Sequence, residues 1–471
     1  MLNLRPVTTA GRRCIRGNAR QRLTSRRGLL TLAIETSCDD TSVAIVDKNK
    51  SGSAKIHFLE NITSDLTAYQ GIHPIRALES HQENLAKLVH KALPHLPFAA
   101  DTENDTKKLV ALSDGNRQKP DFISVTRGPG MRSNLFVGLD TAKGLSVAWQ
   151  IPFVGVHHMQ AHLLTPRLIS ALSPSSSSPT HRSPTAITPS FPFLSILASG
   201  GHSLLVNSTS LTTHSILATT IDVALGEAID KSARQILPPA LLASSKTTMY
   251  GKLLEQFAFP NGPADYANYT APRTRGEEVA ATKKESPFGW SLTTPFAHTR
   301  ELAMSFSVIA PCVGEILARK RAANPDPNQT VTISDEERIA LARTVMTVCF
   351  EHLASRTILA LESLCEWSPK PNRRPIPQSV PIKTLVVSGG VAANKFLMTV
   401  LRSFLDVRGF GHVGIVAPPA ALCTDNAAMI GWAGIEMFEA GWRSDFSVRA
   451  LRKWSLEGEG DGEVYNRNSN I

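Results

Sequence analysis

The chain has 471 residues, of which 42% are hydrophobic and 19% are charged, as in ordinary globular proteins. This length exceeds what one hydrophobic core usually organises, so we expect two lobes. No apolar run is long enough to cross a bilayer, so no membrane partner is expected. The six cysteines are scattered without a Cys-x-x-Cys pair, which suits neither a disulfide framework nor a zinc knuckle.

The net charge of +10 is concentrated at the amino terminus, where residues 1–30 hold eight arginines and no acidic residue. This composition is typical of a mitochondrial transit peptide, and a basic arm that binds nucleic acid is the alternative. We therefore predict a disordered transit peptide over 1–30, an ordered protein from Thr31 and a location in the mitochondrial matrix. The other 42 basic residues nearly balance the 40 acidic ones, so the body of the protein is close to neutral.

An N-terminal lobe is predicted over residues 31–150. Two short apolar runs flank the polar stretch Glu35–Ser42, which predicts a strand–turn–strand hairpin. Asp39 and Asp40 at its tip could orient a metal, a water or an amine, or could be solvated turn residues. The other elements predicted for this lobe are a helix at 76–93, a loop at 99–120, a strand at 122–125, a turn at 126–130 and a helix at 134–149.

A C-terminal lobe is predicted over residues 151–456. Its strands at 193–198 and 384–387 each run into a Ser-Gly-Gly turn, and strands alternating with helices predict an α/β fold in two lobes. The other predicted features are low-complexity insertions near 170–190, 322–336 and 367–381, helices at 337–365, 394–405 and 425–440, and a frayed tail at 457–471. The helix at 425–440 is expected to pack back on the N-terminal lobe.

His158 and His162 are four residues apart, so on a helix both rings project from one face. Two such imidazoles can bind one divalent ion, with a carboxylate or another imidazole as third ligand. Asp425, before a helix of small residues, is a candidate, although an N-cap role would also explain it. Because the chain has 14 histidines, this spacing also arises by chance, and the pair alone leaves the question open.

Three turns that follow strands are rich in small and hydroxyl-bearing residues, at 35–42, 199–203 and 388–394. Glycine lets the main chain approach a phosphate, and backbone N–H groups supply donors. Three such turns beside a candidate metal pair favour a nucleotide cleft between two lobes. Asp230 and Lys231, taken alone, are typical of an exposed ion pair.

Seven segments in order resemble the universal tRNA threonylcarbamoyladenosine transferases, most closely their mitochondrial branch, over about residues 31–456. The segments are Ile-Glu-Thr-Ser-Cys-Asp-Asp-Thr-Ser at 34–42, Thr-Arg-Gly-Pro-Gly at 126–130, Val-His-His-Met-Gln-Ala-His at 156–162, Ser-Gly-Gly-His-Ser at 199–203, Gly-Glu-Ala-Ile-Asp-Lys at 226–231, Ser-Gly-Gly-Val-Ala-Ala-Asn at 388–394 and Cys-Thr-Asp-Asn-Ala-Ala-Met-Ile at 423–430.

The resemblance implies a two-lobed α/β protein with the actin-like, Hsp70-type ATPase (ASKHA) fold and a central cleft. It implies transfer of the threonylcarbamoyl group from threonylcarbamoyl-AMP to N6 of adenosine 37 in tRNAs that read ANN codons. One divalent metal ion, zinc or iron, would be held by His158, His162 and Asp425. The donor would contact Leu197, Ala198, Ser199, Gly200, Gly201, Asp230, Gly251, Glu255 and Asn394.

Partners implied by the resemblance are tRNA, a threonylcarbamoyl-AMP synthase and a second copy of the chain. An adenylate already carries a good leaving group, so the reaction needs no side-chain nucleophile; Asp39 or Asp40 could accept the amine proton. Basic side chains that could contact tRNA, or simply face solvent, are Lys283, Lys284, Arg319, Lys320 and Arg321.

The chain departs from the family pattern at two places. One glycine stands where the family has two, in Met249-Tyr250-Gly251-Lys252. The motif Phe-Ser-Phe-Ser-Gly is represented by Met304-Ser305-Phe306-Ser307-Val308, which lacks the glycine. Either both departures are natural divergence, or they alter how the cleft closes.

Three other functions remain open from the residues alone. A zinc metallopeptidase would need a glutamate after the first histidine, and Met159 follows His158 instead. An ATP-dependent small-molecule kinase of the same fold would turn over ATP without threonine and bicarbonate. A non-enzymatic scaffold would work without the metal ligands.

Overall fold

The computed structural model describes residues 28–65, 73–99, 108–173, 186–244, 250–281, 284–323, 333–365 and 381–457. Two five-stranded sheets form its framework, in the orders β3-β2-β1-β6-β7 and β10-β9-β8-β11-β12. In both sheets the first three strands pair antiparallel and the last two join in parallel. This duplicated order confirms the two-lobed α/β, actin-like fold.

The strands of the first sheet are β1 (Leu29–Glu35), β2 (Asp40–Lys48), β3 (Ala54–Thr63), β6 (Phe122–Gly128) and β7 (Phe153–His157). Those of the second are β8 (Phe193–Ala198), β9 (Ser203–Ser208), β10 (His214–Thr219), β11 (Thr384–Ser388) and β12 (Gly414–Val416). The strands β6, β7 and β8 are buried along their whole length, as expected for strands covered on both faces.

The first sheet lies between two pairs of helices. Helices α1 (Pro74–Ala92) and α2 (Arg132–Trp149) pack with Leu32 and Ile34 on one face. Helices α3 (His158–Leu172) and α12 (Ala427–Glu439) pack with Ala33 on the other, because alternate residues of β1 point to opposite faces. Helix α12 thus carries residues from the far end of the sequence to β1, β2 and β6.

The remaining helices build the second lobe. They are α4 (Leu225–Ile236), α5 (Pro239–Ser244), α6 (Gly251–Ala258), α7 (Arg275–Ala281), α8 (Ile309–Ala323), α9 (Asp335–Cys365), α10 (Lys395–Val407) and α11 (Ala420–Cys423). The long α9 packs against α4, α6 and α10. Buried Phe350 and Phe396 pack against each other at this junction with their rings tilted, and the ring centroids are 5.9 Å apart. Among the described helices, none is long and apolar enough to span a membrane.

The loop predicted over 99–120 is wrong in part. Strands β4 (Leu109–Leu112) and β5 (Gly115–Gln118) form a separate hairpin. The overlooked signal is Asp114-Gly115 between two short runs, since Gly115 takes a φ of 127° that glycine accommodates without strain. The guanidinium of Arg117 stacks 3.4 Å over the ring of Phe98 and covers one side of this hairpin.

Several predicted boundaries also move. The first strand begins at Leu29, before Thr31, because Leu29 and Leu30 already pair with β2. The strand after the predicted lobe boundary at 150 pairs with β6, so the first sheet extends to His157. The predicted transit peptide lies outside the described residues up to residue 27, as do most of the insertions (174–185, 324–332, 366–380) and the tail from 458. Glu457 is tied in place by a hydrogen bond from the Ile216 N–H.

We expect His352 to make folding sensitive to acid. This fully buried ring on α9 accepts a hydrogen bond from the Ser305 N–H at 3.2 Å, and burial lowers its pKa to about 3. In the unfolded chain it binds a proton near its ordinary pKa of 6.5, so the stability that depends on the neutral ring is lost as the pH falls below 6.5.

Lowering the pH from 7.5 to 5 should reduce the free energy of unfolding of both proteins. The reduction should be about 2 kcal/mol larger in the parent protein than in His352→Gln. Denaturant titrations of both proteins at the two pH values measure this difference. Equal losses in both proteins would show that His352 does not stay neutral in the fold.

Candidate functional site

The site is built around the junction of β7 and α3. The ring of His157 caps this helix: its Nδ1 accepts hydrogen bonds from the N–H groups of Met159 and Gln160 at 3.2 and 3.4 Å. Its Nε2–H donates to the carbonyl of Trp454 at 3.2 Å, and burial lowers the pKa of His157 to about 3. This neutral cap fixes the start of α3, and α3 is the helix that carries both His158 and His162.

The two predicted histidines and Asp425 converge. The Nε2 atoms of His158 and His162 are 3.3 Å apart, and the Asp425 Oδ1 atom lies 3.4 Å from the first and 3.0 Å from the second. Among the residues that the structure describes, these three form the one group of His, Cys, Asp or Glu side chains able to share a metal ion.

The spacing of the three donor atoms fits a metal centre. Ligands about 2.1 Å from a tetrahedral ion lie about 3.4 Å from one another, close to the observed separations. Two imidazoles and one carboxylate are also a common donor set for a catalytic metal with open positions. The residues present therefore fit one divalent ion.

The electrostatics of the group favour a cation. Burial raises the pKa of Asp425, but the charges and hydrogen bonds of His158 and His162 outweigh it and hold that pKa well below its usual value. Burial lowers the pKa of His158, but Asp425 and Glu35 raise it well above the usual value. The two carboxylates thus stabilise positive charge between them, which a proton or a metal ion can supply.

The backbone around Asp425 is held by the first sheet. The side-chain amide of Asn61 in β3 donates to the Asp425 carbonyl at 3.0 Å, and the hydroxyl of Ser42 in β2 accepts from the Ala427 N–H at 2.9 Å. The cap of α12 is Asn426, whose Oδ1 accepts from the Met429 N–H at 3.0 Å. The alternative that Asp425 is itself the N-cap is therefore wrong, and its carboxylate faces the histidines.

Two of the glycine turns meet at neighbouring strand ends. Strands β8 and β11 are parallel, with Ser388 opposite Leu197. Gly389 has a φ of 93°, and a Cβ added there would lie 2.3 Å from the carbonyl oxygen of Ala198. The Ser388 hydroxyl donates to the carbonyl of His162 at 3.5 Å, so these turns adjoin the metal ligands.

Of the other predicted donor-site residues, Asp230 and Gly251 are in contact, and Glu255 bonds to the backbone next to Asn394. Asp230 on α4 accepts a hydrogen bond from the Gly251 N–H at 2.8 Å. Glu255 on α6 accepts from the Lys395 N–H at 2.8 Å, next to Asn394, the cap of α10. Burial raises the pKa of both carboxyl groups, although these backbone bonds oppose it.

The two departures from the family pattern keep local partners. Gly251 still begins α6, while Met249 lies outside the described residues. The second departure, at Met304–Val308, is held by Asp222. Its carboxylate accepts hydrogen bonds from the Phe306 N–H at 2.9 Å and the Ser307 hydroxyl at 2.7 Å. These bonds hold the segment in place without the missing glycine.

Asp39 and Asp40 lie at the hairpin tip, which is less solvated than a free turn because the preceding Thr36 and Ser37 are buried. Burial raises the pKa of Asp40 to about 6, although a hydrogen bond from the Thr63 hydroxyl opposes it. The carbonyl of Asp39 accepts from the Ser64 N–H at 3.0 Å.

Two of the five basic residues suggested for tRNA binding form ion pairs with acidic side chains. Lys320 lies 2.9 Å from the carboxylate of Glu337, and exposed Arg319 lies 3.4 Å from that of Glu315. Lys283 falls outside the described residues. Arg321 and Lys284 stay candidates.

Sequence reasoning gave no role to several side chains at this site. Glu35 is fully buried, and its Oε2 atom lies 3.3 Å from His158 Nδ1. Asn61 holds the Asp425 backbone, as described above. The pKa of His202 is lowered by burial and by the nearby rings of His158 and His162. A charged residue ending a buried strand, as Glu35 does, is the signal that could have identified it.

The sequence matches a family of known proteins along most of its length. The family model described as TsaD, tRNA N6-adenosine threonylcarbamoyltransferase, matches residues 56–432. A protein of Schizosaccharomyces pombe, the mitochondrial tRNA N6-adenosine threonylcarbamoyltransferase, is 34% identical over 442 residues, 92% of this chain and 88% of that protein. The tRNA N6-adenosine threonylcarbamoyltransferase of Brucella anthropi is 31% identical over 430 residues, 90% of this chain and 95% of that protein.

Similar solved structures are more remote. HypF of T. kodakarensis matches with a TM-score of 0.36 at 13% identity, over 88% of this chain and 48% of that chain. YeaZ from Pseudomonas aeruginosa matches with a TM-score of 0.23 at 13% identity, over 40% of this chain and 66% of that chain. Scores this low support no argument about function.

Proposed function

Because the chain belongs to the tRNA N6-adenosine threonylcarbamoyltransferase family, we propose that the His158, His162 and Asp425 group is the centre of this transfer reaction. The chain is a transferase that forms threonylcarbamoyladenosine (t6A) in tRNA. One observation supports this position of the reaction centre: three possible ligand atoms converge within 4.8 Å of one another, beside the glycine turns.

One divalent ion, zinc or iron, would be held by His158, His162 and Asp425. When bound, it supplies a Lewis acid and a template for oxygen atoms of the donor. The protein fixes its ligands from two directions: α3 presents both imidazoles, and Asn61 and Ser42 position the turn that carries the carboxylate.

The donor, threonylcarbamoyl-AMP, would lie along the glycine turns Ser199–Gly201 and Ser388–Gly390. Backbone N–H groups of such turns suit a phosphate, and Gly389 allows the close packing against Ala198 that brings the turns together. The carboxyl groups of Asp230 and Glu255 are suited to accept hydrogen bonds from hydroxyl groups of the nucleoside, with Asn394 beside them.

The acceptor is N6 of adenosine 37 in tRNAs that read ANN codons. The reaction breaks the bond between the carbamoyl carbon and the AMP oxygen, forms the carbon–N6 bond and releases AMP and a proton. Asp40, whose pKa is raised to about 6, is suited to receive that proton, with Asp39 as its alternative. Positioning of the two reactants lowers the barrier because it turns a bimolecular step into one within a single complex.

The location and partners follow from the same proposal. A mitochondrial relative and the arginine-rich residues 1–30 support import into the matrix. A separate synthase would supply the adenylate. A homodimer would cover exposed apolar side chains of α2, such as Phe136 and Val147.

Reconstitution tests this function. The purified protein, a threonylcarbamoyl-AMP synthase, threonine, bicarbonate, ATP and an ANN-decoding tRNA transcript should yield t6A, detected by nucleoside mass spectrometry. A transcript with guanosine at position 37 is the matched control and should stay unmodified. Absence of t6A with an active synthase would contradict the proposal, whereas metal-dependent cleavage of an unstructured protein would favour the peptidase alternative.

A further inference from the structure

Glu35 is a fully buried carboxylate at the end of β1, where the first sheet meets the metal ligands. Its Oε1 atom accepts a hydrogen bond from the Ser37 N–H at 2.5 Å, and its Oε2 atom accepts one from the Thr126 hydroxyl. The same Oε2 atom lies 3.3 Å from His158 Nδ1. A buried carboxylate is costly unless such partners compensate it, so this position needs a physical reason.

The two nitrogens of the His158 ring face different surroundings. Its Nε2 atom points to His162 and Asp425, within 3.3 and 3.4 Å. Its Nδ1 atom points to Glu35 and to the hydroxyl of Ser37, at 3.3 and 3.2 Å. A ring nitrogen binds a metal through its lone pair, so metal binding at Nε2 requires that the proton stay on Nδ1.

We propose that Glu35 is a positioning residue that keeps the proton of His158 on Nδ1 and fixes the ring so that Nε2 faces the metal. This inference rests on the metal role proposed above for His158, His162 and Asp425. An acceptor on the outer nitrogen of a metal-binding histidine orients the ring and raises its basicity as a ligand.

Ser37 is the competing partner of the same nitrogen. A hydroxyl can donate or accept, so Ser37 is compatible with either tautomer of His158. An ionised carboxylate accepts only, and it therefore selects Nδ1–H. The Ser37 N–H is itself bound to Glu35, so the serine is placed by the carboxylate.

The first test compares zinc affinities by competition with a chromophoric chelator. The variant Glu35→Gln puts an amide N–H donor beside Nδ1 and should weaken zinc binding by about 10–100-fold. The matched variant Ser37→Ala removes the other acceptor and should stay within about threefold. Equal affinities of Glu35→Gln and the parent protein, or a larger loss in Ser37→Ala, would overturn the role of Glu35.

This comparison separates the inference from the metal site itself. If the parent protein binds zinc no better than His158→Ala, the metal proposal is wrong. If the parent binds zinc and Glu35→Gln binds it equally well, only the role of Glu35 is wrong.

The second test uses the unaltered protein, so it holds even if Glu35→Gln does not fold. Zinc-loaded protein with ¹⁵N-labelled histidines is measured by long-range proton–nitrogen correlation. Zinc should bind the His158 ring through Nε2. The Nδ1 atom of that ring should carry a proton whose resonance is shifted downfield by the Glu35 carboxylate. Metal binding through Nδ1 in that ring would overturn the inference.

Discussion

Replacing His158 with alanine is expected to lower the rate of t6A formation by about 10³-fold or more, with little change in folding. The loss removes one of three ligands, and the Lewis-acid stabilisation supplied by a metal is worth several kcal/mol. The bound metal should fall from one equivalent to nearly none, measured by elemental analysis. Because α3 is held by the His157 cap and by its packing against α12, circular dichroism should be unchanged.

The control for this prediction is another histidine with a carboxylate partner. His57 in β3 lies 2.6 Å from Asp47, away from the three ligands. The variant His57→Ala should keep both its metal and its activity within about threefold. An active, metal-loaded His158→Ala protein would contradict the assignment of this ligand.

Substitution of Gly389 by alanine is expected to destabilise the protein by about 3 kcal/mol and to abolish productive donor binding. A φ of 93° costs an L-residue about 1–2 kcal/mol, and the added Cβ would lie 2.3 Å from the Ala198 carbonyl oxygen. Relief of this clash must separate the two glycine turns. Denaturant unfolding and the KM for threonylcarbamoyl-AMP measure the two effects.

The neighbouring glycine is a matched control. A Cβ added at Gly390 has no heavy atom within 4 Å, and its φ lies in the range open to other residues. The variant Gly390→Ala should therefore change stability by less than about 1 kcal/mol. Equal stability losses at the two positions would contradict the packing argument.

The sequence predicted the elements that carry strong local signals. The hairpin around Asp39, the helix predicted at 134–149 and the strand before Ser388 all lie close to their predicted positions. Each depends on periodicity within a few residues or on a glycine turn. The hairpin at 109–118 was missed because its strands are only four residues long and its signal is the dipeptide Asp114-Gly115.

The contacts that complete the site could not be read from local pattern. Asp425 comes to His162 across 263 sequence positions, and Asn61 holds its backbone across 364. Such pairings depend on α12 packing against β1 and β2, a tertiary arrangement that no nearby residue specifies. The residues made Asp425 a candidate ligand and the resemblance assigned it, whereas the contact of Glu35 with His158 is visible only in the folded structure.

A metal titration of activity tests whether transfer depends on one ion held by His158, His162 and Asp425. The protein is stripped with a chelator, and zinc or ferrous iron is added back in fractions of an equivalent while the initial rate of t6A formation is followed with excess threonylcarbamoyl-AMP and tRNA. We expect a negligible rate without metal and a linear rise that ends at one equivalent. Full activity in the stripped protein, or restoration of activity in His162→Ala at the same stoichiometry, would contradict this expectation.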